Sequence, residues 1–374
     1  MQFGGPVFVF GAGSSAAAGA PVTETFRRAA GQHMAAVTTR TAKPSDQGKL
    51  FSEAMRTWGE SAPDSNIEEF YILTEMMARL DPIEWVYRRE AVKCMIAKTL
   101  ELSIPGGPNL DGHQMLVRKL LESHYGLSRN GKPVPTCPPI LVSLNWDVLL
   151  DAAITRRGLH TRVDYRLRDL RTKDAQPNVM PLLKLHGSLN WWFCSGCNTT
   201  TVDPPVHSAA SFWNREPRSC QECGDDLDPF FVPPTSQKLY THQENHRYPF
   251  PLDQLWNEAR HAMATCQELF FVGYSFPPTD IQFRMLVVEA LRNNQHLRRI
   301  VVITKPKHGM ARPNFEESYL KALKGSGKEG LLEFDYKPFE AWIQEETRIN
   351  PPGSNFGTRV EIEAVARPSA VKVS

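Results

Sequence analysis

The stretch Val7-Phe8-Val9-Phe10-Gly11-Ala12-Gly13-Ser14-Ser15, which continues to Gly19-Ala20-Pro21, sets the reading of this chain. Four apolar, β-favouring residues in a row predict a short buried strand. Glycines directly after a strand let the backbone turn tightly and come close to a pyrophosphate, whose charge meets the N-terminus of the next helix. Gly11 and Gly13 suit that approach, with Ala12, Ser14 and Ser15 beside them. A Gly-x-Gly alone is equally at home in an ordinary turn that needs positive φ, so the remaining sequence has to decide.

Four further segments carry chemistry. Leu141 to Leu150 contains a strand end with two polar groups, Asn145 and Asp147, before a helix. Lys184-Leu185-His186-Gly187-Ser188-Leu189 ends another apolar run on a histidine and a glycine. Cys194-Ser195-Gly196-Cys197 and Cys220-Gln221-Glu222-Cys223 form two Cys-x-x-Cys knuckles. Phe270-Phe271-Val272-Gly273-Tyr274-Ser275-Phe276 is a strand that stops on Gly and Ser, and Asp280 is placed to cap the helix that follows. In this order the set resembles the sirtuin family. More closely, it resembles bacterial sirtuin-like effectors, whose motifs are a Gly-Ala-Gly-x-Ser loop, an Asn-x-Asp strand end, a His-Gly and a Gly-Tyr-Ser-Phe. The similarity covers about residues 5 to 305 and is carried by the motifs.

Composition bounds the alternatives. The chain has 374 residues, 41% of them hydrophobic, enough for one large α/β domain with insertions. Its 43 basic and 41 acidic residues give a net charge of +2, so no overall electrostatic signal points to nucleic acid or an anionic membrane. No run of eighteen apolar residues and no signal-peptide pattern is present, so the expected location is the cytoplasm and no membrane contact is expected. Of seven cysteines, four form the knuckles. That usage suits a reduced compartment with a closed structural zinc site of Cys194, Cys197, Cys220 and Cys223. Cys94, Cys137 and Cys266 read as inert, partly buried thiols.

The expected fold is α/β, a Rossmann-like doubly wound parallel sheet with a helical insertion and a zinc-ribbon insertion. Strands are predicted near 140–144, 163–165, 182–185, 268–272 and 299–303, and helices near 147–157, 252–266 and 280–293. Residues 22 to 38 read as helix and 38 to 49 as loop. Between 40 and 125 the three- and four-residue spacing of Ile67, Phe70, Tyr71, Leu73, Thr74, Met77 and Leu80, and of Trp85, Val92, Met95, Ile96 and Leu100, predicts two or three helices covering one side of the nucleotide site. Met76, Met77 and Met95 are expected to pack between them. The zinc insertion is placed at 190–235, the catalytic domain at 1–349, and a linker and tail at 350–374. The tail's alternating apolar positions suit either disorder or docking on a partner.

Breaking the glycosidic bond of a nicotinamide dinucleotide needs a grip on the carboxamide, a placed nucleophile and a base. His186 is the candidate base, since neutral imidazole takes a proton near pH 7 and the following glycine leaves room for substrate. The resemblance gives Asn145 the place beside the nicotinamide ribose and its water, and gives Asp147 the carboxamide. On residue chemistry alone both also read as helix caps. By the same resemblance Gly11, Ala12, Gly13, Ser14, Ser15, Gly19, Pro21, Gly273, Ser275 and Thr304 surround the dinucleotide, with Thr304 standing where sirtuins carry an Asn. Leu144 and Trp146 depart from the family's Gln and small aliphatic residue.

Deacylating sirtuins follow Gly-x-Pro with Asp-Phe-Arg, whereas Pro21 here is followed by Val22-Thr23-Glu24. The resemblance therefore implies NAD+ as substrate, hydrolysed to nicotinamide and ADP-ribose, in an antiphage effector that depletes NAD. It further implies restraint by homo-oligomerisation or by a partner such as a HerA-like ATPase. A protein deacylase or ADP-ribosyltransferase, and a non-catalytic NAD-binding subunit, remain the competing readings.

Overall fold

A computed structural model describes residues 4–38, 46–104, 108–127, 133–135, 139–156, 161–167, 179–205, 212–213, 218–232, 241–243, 246–247, 250–305 and 312–346. The expectations for the tail at 350–374 and for Cys137 fall outside these residues, as does the middle of the 38–49 loop.

In chain order the elements are β1 (Val7–Phe10), a 3₁₀ helix (Ala12–Ala18), α1 (Phe26–Thr38), α2 (Asp46–Ser61), α3 (Ile67–Leu80), α4 (Pro82–Ser103) and α5 (Asp111–His124). A hairpin of β2 (Tyr125–Leu127) and β3 (Pro133–Pro135) leads to β4 (Ile140–Ser143), α6 (Leu149–Ile154), β5 (Arg162–Asp164) and β6 (Val179–Lys184). Then come β7 (Gly187–Cys194), β8 (Thr199–Val202), β9 (Leu227–Phe231), β10 (Thr241–Gln243), β11 (His246–Arg247) and α7 (Phe250–Thr265). The described chain closes with β12 (Glu268–Val272), α8 (Ile281–Asn293), β13 (Arg299–Ile303), α9 (Arg312–Leu323), β14 (Leu332–Asp335) and α10 (Phe339–Glu345).

Seven strands form one sheet in the order β14-β13-β12-β1-β4-β6-β5, and every neighbouring pair is parallel. The apolar runs read as strands because the central ones are buried on both faces, which parallel sheets require. Successive strand residues point to opposite faces: Phe270 meets Trp342 of α10, while Phe271 meets Tyr319 of α9. Helices thus cover both faces, and the doubly wound α/β sheet is the fold. Chain order moves outward from β1 to β4 on one side and from β12 to β14 on the other, so the crevice lies at β1 and β12, over the strands' C-terminal ends.

Four helices, α2 to α5, fall between residues 46 and 124, one or two more than the periodicity suggested. Much of the insertion has its own core, in which Phe26, Phe51, Trp58, Phe70, Tyr71 and Met95 are buried. Met95 packs inside as expected, but Met76 is half exposed and Leu80 largely so. The apolar stripe of α3 therefore ends before the helix does. Helix α2 begins at Asp46, inside the segment read as loop, and α1 begins four residues later than read, at Phe26.

The zinc-ribbon insertion is the antiparallel sheet β8-β7-β9 with the knuckles at its far end. Cys194 and Cys223 Sγ lie 3.3 Å apart, Cys197 and Cys220 Sγ 3.6 Å, and all four sulfurs fall within 4.8 Å of one another. Tetrahedral Zn–S bonds of about 2.3 Å place sulfurs about 3.8 Å apart, so the cluster fits a structural zinc with no open position. Cys94 and Cys266 are buried, and burial pushes the Cys266 thiol up to about 12, in keeping with inert thiols. Among the described residues no helix is long and apolar enough to cross a membrane.

Candidate active site

Over the crevice at the strand ends lies a cavity of about 510 Å³. Gly11, Ala12, Gly13, Ser15, Pro21, Asn145, Asp147, His186, Gly273, Ser275 and Thr304 all line it. Its volume is in the range of cofactor pockets. Two residues named from sequence do not line it. Ser14 turns inward and donates to the Gly11 carbonyl at 2.7 Å. Gly19 caps the 3₁₀ helix with φ +98°, a left-handed conformation that suits glycine.

The glycines also serve packing. A Cβ on Gly11 or Gly13 would lie 2.8 Å from the Gly273 carbonyl oxygen, and one on Gly273 (φ +62°) would lie 2.2 Å from Ser14 N. They let the loops after β1 and β12 interlock. Three loop amides are already committed: Gly11 N–H donates to Val272 O, Gly13 N–H to Gly273 O, and Ser14 N–H to Gly11 O. These three bonds brace the loop as a wall of the cavity. At Gly187 (φ +72°) a Cβ would lie 2.3 Å from Phe230 O, so glycine there permits the close approach of β7 to β9.

Asn145 donates its amide N–H groups to Gly11 O at 3.0 Å, Ser15 Oγ at 3.1 Å and Ser14 Oγ at 3.3 Å. Asp147 accepts from Ser15 Oγ at 2.8 Å and from Leu149 N–H at 3.0 Å. The second bond engages the first amide of α6, whose N-cap position is Val148 and carries no side-chain cap, so Asp147 stands just before the helix while also facing the cavity. Asn145 caps nothing. Among the described residues no donor engages its Oδ1, which leaves that atom as an acceptor at the cavity wall.

His186 follows β6 and is buried at the cavity edge, its ring edge-on to Trp256 at 5.9 Å. Trp256 donates to Leu185 O at 2.9 Å, and the His186 carbonyl accepts from Val232 N–H at 2.9 Å, so the backbone carrying the imidazole is held on both sides. Beneath the Asn145–Asp147 turn, burial pulls His113 of α5 down to about 4 against the opposing pull of Asp147 and Asp151.

The sequence did not point to the residue at the roof. A capping box fixes the start of α3: Asn66 Oδ1 accepts from Glu68 and Glu69 N–H, and Glu69 Oε2 accepts from Asn66 N–H. This aims Glu68 at the loop after β12, where its Oε2 accepts from Thr279 Oγ1 at 2.9 Å. Burial, reinforced by Asp280 and Glu24, pushes the Glu68 carboxyl up to about 7, and burial pushes Asp280 up to about 6.

A raised carboxyl pKa favours the folded state at low pH. The contribution is complete below the unfolded value near 4.5 and is lost as pH rises through about 7. Glu68→Gln, which mimics the protonated form, should therefore gain stability over the parent at pH 8 but not at pH 4.5. At about 1.4 kcal/mol for each pH unit, the gain is of the order of a few kcal/mol. Denaturant midpoints at the two pH values test this, and an equal difference at both would show that Glu68 titrates normally.

Trp146 closes one wall. Its indole N–H donates to Val232 O at 2.9 Å, and its ring packs against Tyr71 at 6.2 Å and Phe231 at 6.0 Å.

No family model and no curated protein matches this chain. Among solved structures it is similar to one described as the structural basis for sirtuin substrate affinity, with 14% identity over 91% of this chain and 90% of that chain and a TM-score of 0.38. It is also similar to Sir2 in complex with an inhibitor, 2′-O-acetyl-ADP-ribose and a deacetylated peptide, at 13% identity, 91% of both chains and a TM-score of 0.37. Sir2 bound to acetylated peptide matches at 13% identity, 91% of this chain, 90% of that chain and a TM-score of 0.37.

Proposed function

We propose that this chain hydrolyses NAD+ at the nicotinamide glycosidic bond. The observation that supports this best is the convergence of Asn145, Asp147 and His186 on one cavity shared with the loops after β1, β12 and β13. In this reading Asp147 accepts from the carboxamide N–H, its carboxylate oxygens having lone pairs to spare. Asn145 Oδ1 accepts from a water set against the ribose C1′. The C1′–N bond breaks with its electron pair leaving on neutral nicotinamide, the water oxygen bonds to C1′, and His186 takes the water's proton.

Water is favoured over an acyl-lysine as the acceptor by two features. The Val22-Thr23-Glu24 segment lines the cavity where deacylating sirtuins have Asp-Phe-Arg. Beside the cavity, Val232 has its N–H paired with His186 O and its carbonyl accepting from the Trp146 indole, so that residue's N–H is not free to pair with an extended peptide. Following the motif resemblance, the biological role we propose is an antiphage effector that depletes NAD in the cytoplasm, restrained as a homo-oligomer or by a HerA-like ATPase partner.

Purified protein incubated with NAD+, with and without an acetylated peptide, tests the reading through nicotinamide release. Release is expected without peptide and unchanged by it. A strict need for peptide favours the deacylase, and binding without release favours the non-catalytic subunit.

A further inference from the structure

Lys184, the last residue of β6, is fully buried, and so is Asp151 of α6. The Lys184 ammonium contacts Asp151 Oδ2 at 3.2 Å and also donates to the backbone carbonyl of Asp147. Asp151 Oδ1 accepts from Tyr165 Oη at 2.5 Å, and Asn190 Nδ2 reaches Tyr165 Oη at 3.4 Å and Asp203 O at 2.9 Å. One ammonium thus ties both ends of the segment Asp147–Asp151 to a strand that reaches His186 two residues later.

We propose that Lys184 is a positioning residue that, paired with Asp151, holds the Asn145–Asp147 turn and the His186 strand end in one fixed relation. The inference rests on the NAD+-hydrolase reading. A buried ion pair is a poor device for stability alone, because desolvation offsets its attraction and a well-packed apolar pair of similar size often serves as well or better. What an apolar pair does not supply is a directed hydrogen bond to the Asp147 carbonyl. Elsewhere in the turn the Trp146 carbonyl accepts from Leu189 N–H and the Asn145 N–H donates to Ser143 Oγ, while the bonds from Ser15 and Leu149 go to the Asp147 carboxylate, so the Asp147 carbonyl is left to Lys184. Small displacements of a reacting group cost far more in turnover than in binding.

The test is the double variant Lys184→Met/Asp151→Leu, which removes both charges and so avoids stranding either. Relative to the parent it should melt as a folded protein and bind ADP-ribose with a Kd within about threefold, yet show kcat for nicotinamide release lowered by about 10- to 100-fold with little change in KM, the signature of a misplaced reacting group. Asp151→Asn is measured alongside, because it keeps the side-chain shape if the double variant fails to fold; its kcat should also fall with KM retained. A folded variant of either kind with the parent's kcat overturns the proposal, as does a loss confined to KM. Absence of nicotinamide release from the parent itself overturns the hydrolase reading instead, so the two failures are distinct.

Discussion

His186→Ala is expected to lower nicotinamide release from NAD+ by about a hundredfold or more, the usual scale for a positioned acid–base group. ADP-ribose affinity should change little, because the imidazole occupies one edge of a cavity whose other walls are formed by the loops after β1, β12 and β13. Asn145→Ala should cost a similar factor in turnover, but with a second symptom. The Asn145 amide braces Gly11, Ser14 and Ser15, so its loss also loosens the loop after β1 and weakens ADP-ribose binding several-fold. Steady-state kinetics with calorimetric titration of ADP-ribose separate the two variants. Wild-type turnover in His186→Ala would falsify the assignment of histidine as the base.

The second large effect concerns metal. Purified protein should contain one zinc per chain, and Cys197→Ala should unfold the knuckles and lower the melting temperature. The module has little else to hold it: its buried cluster is Trp192, Cys194, Cys220 and Leu227, two of them zinc ligands, with Cys197 and Phe212 against it. In isolated zinc fingers the metal contributes about 10–16 kcal/mol of apparent folding energy. The global loss here should be smaller, since Trp191 and Phe193 on the same strand are anchored in the core of the parallel sheet. Limited proteolysis between 195 and 226, with and without a chelator, reads the local effect. Zinc-free protein with an unchanged melt and unchanged cleavage would rule out a structural metal.

The parallel strands were legible because burial on both faces forces continuous apolar runs, and such runs ended where polar site residues begin. The knuckles were legible because ligand spacing is local. Other features rest on partners remote in sequence and left no local trace. Ser15 and Asp147 meet across 132 positions and Glu68 and Thr279 across 211. Lys184 reads in sequence as a charged residue beside an apolar run, and only the packing of α6 shows it to be buried and paired. Gly187 follows His186 in sequence, and only the packing of β7 on β9 shows its close approach to Phe230. Helix α2 begins inside the Thr-, Lys- and Pro-bearing segment read as loop, where a buried face at Gln47, Gly48, Leu50 and Phe51 outweighs weak local propensity.

The central position of β1 has a consequence in time. Val7 pairs in register with Leu269 on one side and with Ile140 on the other, so the middle strand of the sheet lacks a flank until residue 272 has been made. At roughly 5–20 residues per second, about 6–26 seconds of synthesis separate Ile140 from Leu269. During that interval the helical insertion, whose core is drawn mostly from residues 18 to 104 and completed by Leu149, Leu189 and Phe231, can condense, whereas the strand that carries the first loop waits. The cavity walls drawn from Gly273, Thr304 and Phe339 arrive later still, so no nascent or C-terminally shortened chain lacking them encloses the pocket.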